Sequence, residues 1–263
     1  MQSPPADPRL VDDAVAIARA AGDTTLPWFR SADLVVDRKG DGTPVTEADR
    51  GAEARARALL AEAYPDDGIV GEEEGETEGT SGRRWFVDPI DGTKAFTRGV
   101  PLYSTLIGVE DEHGMVVGVI HLPALGETVW AGRGLGCWCD GAPTGVSERS
   151  STRGSVLTTS GFDYWPELAL LAVRQSDLLM RTWGDGYGYA LVATGRAEAM
   201  VDPVAAPYDL APMPVILAEA GGRFSDWSGE DRIDGGTGLA TNGKVHDDVL
   251  ALLREGTTAS RPS

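Results

Sequence analysis

Trp85-Phe86-Val87-Asp88-Pro89-Ile90-Asp91-Gly92-Thr93-Lys94 is an apolar, strand-like run that ends in two carboxylates three positions apart, and Gly92-Thr93 follows where a helix can begin. Two hard anionic ligands beside exposed backbone amides suit Mg²⁺ and the phosphate that it neutralises. A site of that kind needs more acids than this stretch holds, so the others must come from distant parts of the chain.

Upstream, Gly68-Ile69-Val70-Gly71 reads as a short strand ending at Glu72 and Glu73. Strand ends of one sheet share an edge, which would bring Glu72 beside Asp88. The competing reading makes the five glutamates between Gly71 and Gly79 a solvated face. Before them, Thr46-Glu47-Ala48-Asp49 opens a helix with Thr46 as N-cap and an Ala/Leu-rich body that ends near Ala63, ahead of Pro65. An acid in the first turn stabilises the helix dipole by roughly 0.3–1 kcal/mol, so Asp49 reads equally as a cap or as a site residue. Leu34-Val35-Val36 predicts a strand leading to Lys39 and the turn Gly40-Asp41-Gly42, a flexible loop carrying one lysine. Leu10, Val11, Ala14, Val15, Ala18 and Ala21 recur at helical spacing and predict an amphipathic opening helix.

Downstream, Ser104–Val109 and Met115–His121 predict a hairpin around Glu112-His113-Gly114, with edge strands at Thr128-Val129-Trp130 and near Cys137. The second half alternates. Strands are expected at 156–159, 178–180, 197–201, 223–224 and 238–241, and helices at 166–175, 184–194, 209–220 and 245–253. This predicts an α+β first lobe (1–150) joined to an α/β second lobe (151–255), working as one domain with a frayed start and a flexible tail over 256–263. Asp185, Asp202 and Asp209 stand out in the second lobe, each readable also as a turn or helix-start aspartate. Arg181 and Arg196 are ordinary unless an anion faces them, and Trp183 and Tyr187 read as core or pocket wall. His113 and His121 are lone histidines, read as surface or satisfied groups.

Composition limits the function classes. Forty-one acidic against 23 basic residues give a net charge of −18, which opposes non-specific attraction to nucleic acid or anionic membranes. A phosphate substrate would need local positive charge, and bound metal is a source of it. Cys137 and Cys139 are too few for a disulfide framework or a thiolate zinc site and are read as structural. The first residues lack a signal-peptide pattern and no apolar run has the length of a membrane span, so a cytoplasmic protein is expected.

Taken together, the motifs resemble the inositol monophosphatase superfamily. They are Val45-Thr46-Glu47-Ala48-Asp49, Gly71-Glu72-Glu73, Asp88-Pro89-Ile90-Asp91-Gly92-Thr93, and Tyr208-Asp209-Leu210-Ala211 followed by Glu219-Ala220-Gly221-Gly222, in that order. Trp183–Tyr189 and Leu191–Glu198 are most similar to the histidinol-phosphatase branch. Tyr208 stands where relatives usually have Trp, Gly186 where that branch often has Cys, and Pro207, Pro212 and Pro214 crowd the last metal-bearing helix.

The resemblance implies a layered αβαβα sandwich and an Mg²⁺-dependent phosphate monoester hydrolase, with Mn²⁺ also suited and two or three ions per site. It implies that Glu72, Asp88, the carbonyl of Ile90, Asp91 and Asp209 hold the metal. Asp49 and Thr93 would orient the attacking water alongside Glu72, and the amides of Gly92 and Thr93 would grip the phosphate. Asp185 and Asp202 would face the alcohol part of the substrate, with Trp183 and Arg181 beside them. The expected substrate is a small phosphorylated metabolite, histidinol phosphate first, with inositol 1-phosphate or another sugar or nucleotide phosphate as alternatives. A homodimer is also implied, and a non-catalytic metal-binding regulator is the reading from a different class.

Overall fold

The computed structural model describes residues 3–40 and 42–258. Its opening helix α1 (Pro8–Asp23) is capped by Asp7, whose side chain accepts from the Arg9 amide at 2.9 Å, and buries Leu10, Val11, Ala14, Ile17, Ala18 and Ala21. There follow β1 (Val36–Arg38), β2 (Pro44–Thr46), α2 (Glu47–Ala63), β3 (Gly68–Gly71), β4 (Gly75–Thr77), β5 (Arg84–Asp91) and the short α3 (Thr93–Thr97). Next come β6 (Ser104–Asp111), β7 (Gly114–Leu122), β8 (Glu127–Gly132), β9 (Gly136–Cys139) and β10 (Ala142–Pro143). The second half contains β11 (Val156–Thr159), α4 (Glu167–Gln175), β12 (Leu179–Arg181), α5 (Asp185–Ala193), β13 (Ala199–Asp202) and α6 (Pro207–Leu210). It closes with α7 (Met213–Glu219), β14 (Arg223–Ser225), β15 (Gly238–Thr241) and α8 (His246–Thr258).

Among the described residues the strands form one large sheet of order β10-β9-β8-β7-β6-β5-β3-β4, a smaller one of order β12-β11-β13-β15-β14, and the β1–β2 pair. In the large sheet only β3 and β5 run parallel; in the smaller one β11, β12 and β13 are parallel and β14 and β15 antiparallel. Alternating side chains on β6 and β7 fill two cores. Ile107, Val109, Val117 and Val119 pack against α1 and α2, while Leu106, Ile120 and Leu122 pack against α5 and α7. The smaller sheet covers the other side of α5 and α7, and α4 and α8 cover its far face through Ala169, Val173, Val249 and Leu253. The layers therefore run αβαβα, as the resemblance implied, which is the architecture of an α/β sandwich.

Two details of this packing set up the site. β5 carries an irregularity between Asp88 and Asp91, where the pairing with β6 passes from Asp88↔Leu106 to Asp91↔Ser104. Side chains three apart on a regular strand point to opposite faces; the extra residue in this bulge lets both carboxylates reach one side. Proline at position 89 suits such a place because it cannot donate to a ladder. The second detail is the facing pair Gly108↔Gly118. A Cβ on Gly108 would lie 2.5 Å from Ala211 Cβ and one on Gly118 2.4 Å from the Pro212 carbonyl, so bare backbone here lets the α6–α7 turn press onto the sheet.

Several boundaries differ from the sequence expectation. The helix expected over 209–220 is two helices: Pro212 and Pro214 fall in its middle, where a proline ring removes the ladder donor and clashes with the preceding turn. The acidic run after Gly71 contains a strand, β4, antiparallel to β3. The expected frayed start is tied down from Ala6, whose amide donates to the Arg133 carbonyl at 2.8 Å. α8 carries through Thr258 into the expected tail; residues 259–263, Met1, Gln2 and Asp41 lie outside the described residues.

Candidate active site

On β5, where the irregularity begins, Asp88 is 2% exposed, and its Oδ1 is buried with no hydrogen-bond partner. Asp91 is better served, since its Oδ2 accepts from Ser104 Oγ at 3.0 Å and from the Gly186 amide of α5. Asp209 is placed by its own short helix, where its Oδ2 accepts from the amide of the N-cap residue Ala206 at 2.7 Å. One carboxylate oxygen from each of Asp88, Asp91 and Asp209 lies within 4.8 Å of the others. Acids 121 positions apart, on elements of both lobes, thus converge.

The charges make this cluster unstable as a set of bare anions. Burial pushes Asp88 well above its ordinary range, and the charges of Glu72, Asp91 and Asp209 add to it. Burial also raises Asp91 strongly, reinforced by Asp185 and Asp209. Asp209 is pushed up to about 6, by burial first and then by Glu72, against the lowering effect of the Ala206 amide. An unpartnered buried oxygen amid mutually repelling carboxylates, with oxygen as the donor type, fits a hard divalent cation.

Glu72 follows β3, its amide donating to the Val87 carbonyl at 3.2 Å. Its Oε1 lies 2.7 Å from Lys39 Nζ, which is also 2.7 Å from Glu73 Oε1. The lysine read as a loop residue thus neutralises two members of the acidic run, and Glu72 stands beside the three-oxygen cluster rather than within it. The run is no uniform solvated face either: the Glu73 side chain is only 8% exposed.

Asp49 closes the helix cap and also faces Thr93. Its Oδ2 accepts from the Thr46 amide at 2.7 Å and the Thr46 hydroxyl at 2.6 Å, closing the capping box, while Oδ1 faces Thr93 Oγ1 at 3.4 Å. Thr93 Oγ1 is also 3.0 Å from the Ile90 carbonyl. Between them Gly92 adopts a left-handed conformation (φ 85°) as N-cap of α3, and a Cβ there would lie 2.9 Å from Asp185 Oδ2.

The second-lobe acids separate by layer. Asp185 opens α5 against the Gly92 turn, its pKa raised by burial with Lys94 and Ser160 opposing. Its amide donates to Ser160 Oγ at 2.9 Å, and Ser160 in turn donates to Asp202 Oδ1 at 2.6 Å. The other oxygen of Asp202 accepts from Tyr189 OH at 2.9 Å. Expected to face a substrate, Asp202 instead lies behind Asp185 at the end of β13, 6% exposed and with both oxygens occupied; burial carries its pKa to about 7. Arg181 is an exposed residue whose guanidinium lies 5.8 Å over the Trp183 ring, with Nη1 donating to the Met180 carbonyl at 2.7 Å. Trp183 is 42% exposed, so it is no core residue.

Ser104, Ser160, Tyr189 and the Gly186 amide were not legible as site residues in the sequence. At Gly186 a Cβ would lie 2.2 Å from Ser104 Oγ and 2.9 Å from Asp91 Oδ2, so glycine leaves room for the donors of Asp91.

Residues 7–258 match the family model described as the inositol monophosphatase family. The chain is 41% identical over 248 residues to the histidinol-phosphatase of Chlorobaculum parvum, covering 92% of this chain and 96% of that protein. It is 39% identical over 252 residues to the histidinol-phosphatase of Mycobacterium tuberculosis, with 92% and 97% covered. Among solved structures, the extragenic suppressor protein suhB from Bartonella henselae superposes with a TM-score of 0.87 at 28% identity, covering 94% of this chain and 99% of that one.

Proposed function

This chain belongs to the inositol monophosphatase family and is a phosphomonoesterase, and on that premise we propose that it uses Mg²⁺ to hydrolyse L-histidinol phosphate to L-histidinol and phosphate. The observation that carries the reading is the meeting of Asp88, Asp91 and Asp209, with Asp88 Oδ1 left without a hydrogen-bond partner. Glu72, Asp88, the Ile90 carbonyl, Asp91 and Asp209 would hold two or three ions, Mn²⁺ being equally compatible with oxygen donors. Bound ions of this kind lower the pKa of water and neutralise charge on the phosphate.

The chain's own groups do the rest. The Gly92 and Thr93 amides, where α3 begins, bind the phosphate oxygens. Asp49 Oδ1 accepts from the Thr93 hydroxyl, which leaves the lone pairs of Oγ1 to accept from the attacking water and aim it, with Glu72 at its other side. Asp185 meets the substrate ammonium; a cation there favours the charged form that burial opposes. Trp183, with Arg181 stacked on it, borders the imidazole side. Asp202 acts through Ser160 on Asp185 rather than on the substrate. A homodimer in the cytoplasm, with each chain working as one domain, completes the proposal. No described helix is long and apolar enough to cross a membrane.

Kinetics across histidinol phosphate, inositol 1-phosphate, fructose 1,6-bisphosphate, a 3′-phosphonucleotide and an aryl phosphate, each with Mg²⁺ titration, test the substrate. The highest kcat/KM is expected for histidinol phosphate. A much higher value for inositol 1-phosphate would overturn the choice in favour of an inositol monophosphatase, whose substrate hydroxyls could also donate to Asp185. No phosphate release from any of them would favour the non-catalytic regulator.

A further inference from the structure

α2 carries a second fully buried acid one helical turn after Asp49. Glu53 is 0% exposed, and its carboxylate faces neither the cluster nor solvent. Oε2 accepts from the Glu73 amide at 2.7 Å, and Oε1 accepts from the Glu74 amide at 3.0 Å and from Arg57 Nε at 2.8 Å. Arg57 extends the clamp, donating to Thr77 Oγ1 at 3.0 Å and to the Gly75 carbonyl on β4. On the other side of the turn, a Cβ on Gly71 would lie 2.1 Å from Glu53 Oε1, so glycine at 71 is what admits the carboxylate. The backbone of Glu72 is therefore fixed from both directions, by the Val87 carbonyl at its own amide and by Glu53 at the two amides that follow.

We propose that Glu53 is a positioning residue for metal binding: it holds the 71–74 turn so that the Glu72 carboxylate is aimed at the site. This rests on the reading of Glu72 as a metal ligand. A buried carboxylate is costly unless its oxygens are occupied, and these are occupied by backbone donors of the one turn that presents Glu72. Asp49 and Glu53 lie four residues apart on one helix, so α2 sets the place of the Thr93–Asp49 pair and of the Glu72 turn together.

The test is calorimetric titration of the full chain with Mg²⁺ or Mn²⁺, alongside the metal and substrate dependence of hydrolysis. In Glu53→Gln an amide N–H₂ replaces one acceptor and faces a donor. The metal dissociation constant should rise about tenfold or more, as expected when a group that orients a ligand is lost. Far-ultraviolet circular dichroism should be unchanged, KM at saturating metal should stay near the wild-type value, and excess metal should restore kcat. Unchanged metal affinity would overturn the inference, as would a raised KM that metal does not rescue, which marks mere loosening. If Glu53→Gln does not fold, Glu53→Asp, too short to reach both amides, is judged by the same titration. Glu72→Gln separates the two claims: if it binds metal like the wild type, the reading of the site fails; if it loses metal while Glu53→Gln does not, only this inference fails.

Discussion

Asp88 and Asp202 are buried strand acids, one in each lobe. Asp88 lies on β5 where its irregularity begins and Asp202 ends β13; each is all but inaccessible to solvent, and burial raises the pKa of both. They differ in what surrounds the oxygens. Ser160 and Tyr189 take both oxygens of Asp202, whereas Oδ1 of Asp88 has no partner and other acids press on it. A buried carboxylate must be protonated, hydrogen-bonded or neutralised by a counter-ion. The second lobe resolves the cost internally; the first leaves it to be met by a cation. Burial on a strand therefore does not set the two acids apart, and the donor count does.

The largest effect should come from breaking the open side. Asp88→Asn is expected to lower kcat/KM on the order of 10²–10³-fold at fixed Mg²⁺, the scale for removing a key electrostatic group. The same change at Asp202 should move kcat less than about threefold, because Asn can still serve Ser160 and Tyr189. Equal losses in steady-state assays of the two variants would erase the contrast.

Next in size is the Asp49–Thr93 pair. Thr93→Val should reduce kcat roughly 10²–10⁴-fold, the range for a positioned proton-handling group, with the melting temperature little changed. Asp49→Ala should do the same and also cost about 1 kcal/mol of stability through the lost cap. Thermal melts and kinetics on the two variants separate the cap function from the site function. A stability loss with no change in kcat would reduce Asp49 to a cap.

Within the second lobe, Asp185→Asn should raise KM for histidinol phosphate about tenfold, the scale of a hydrogen bond to a charged group, and leave an aryl phosphate nearly untouched. Equal changes for the two substrates would remove its specificity role. The smallest effect concerns pH. With a folded pKa near 7 against an ordinary 3.8, the protonated form of Asp202 contributes stability that is complete below its ordinary pKa and lost as pH rises through about 7. Metal-free Asp202→Asn should therefore lose less melting temperature than the wild type between pH 4 and 7. Parallel profiles would place the titration elsewhere.

These contrasts mark how far the sequence could be read. The β5 run, the capped start of α2 and the β6–β7 hairpin were legible because periodicity and capping are local signals. The convergence of Asp209 with Asp88 and Asp91 was reachable only through the family resemblance, since nothing local distinguishes Asp209 from a helix-start acid. Pro212 and Pro214 announced a break whose consequence, a separate short helix aiming Asp209, depends on the close approach at Gly108 and Gly118. Lys39, Glu53, Ser160 and Tyr189 were not assigned to the site because their partners lie 13 to 42 residues away, and spacing alone carries no pairing information at that range.

The most direct test is phosphate release from histidinol phosphate by the purified chain, stripped with EDTA and then supplied with Mg²⁺, in the wild type and in Asp91→Asn. Activity should vanish on stripping, return with the ion, and be abolished by the substitution under both conditions. Release that persists through both EDTA and Asp91→Asn would contradict a metal-dependent hydrolysis built on these carboxylates.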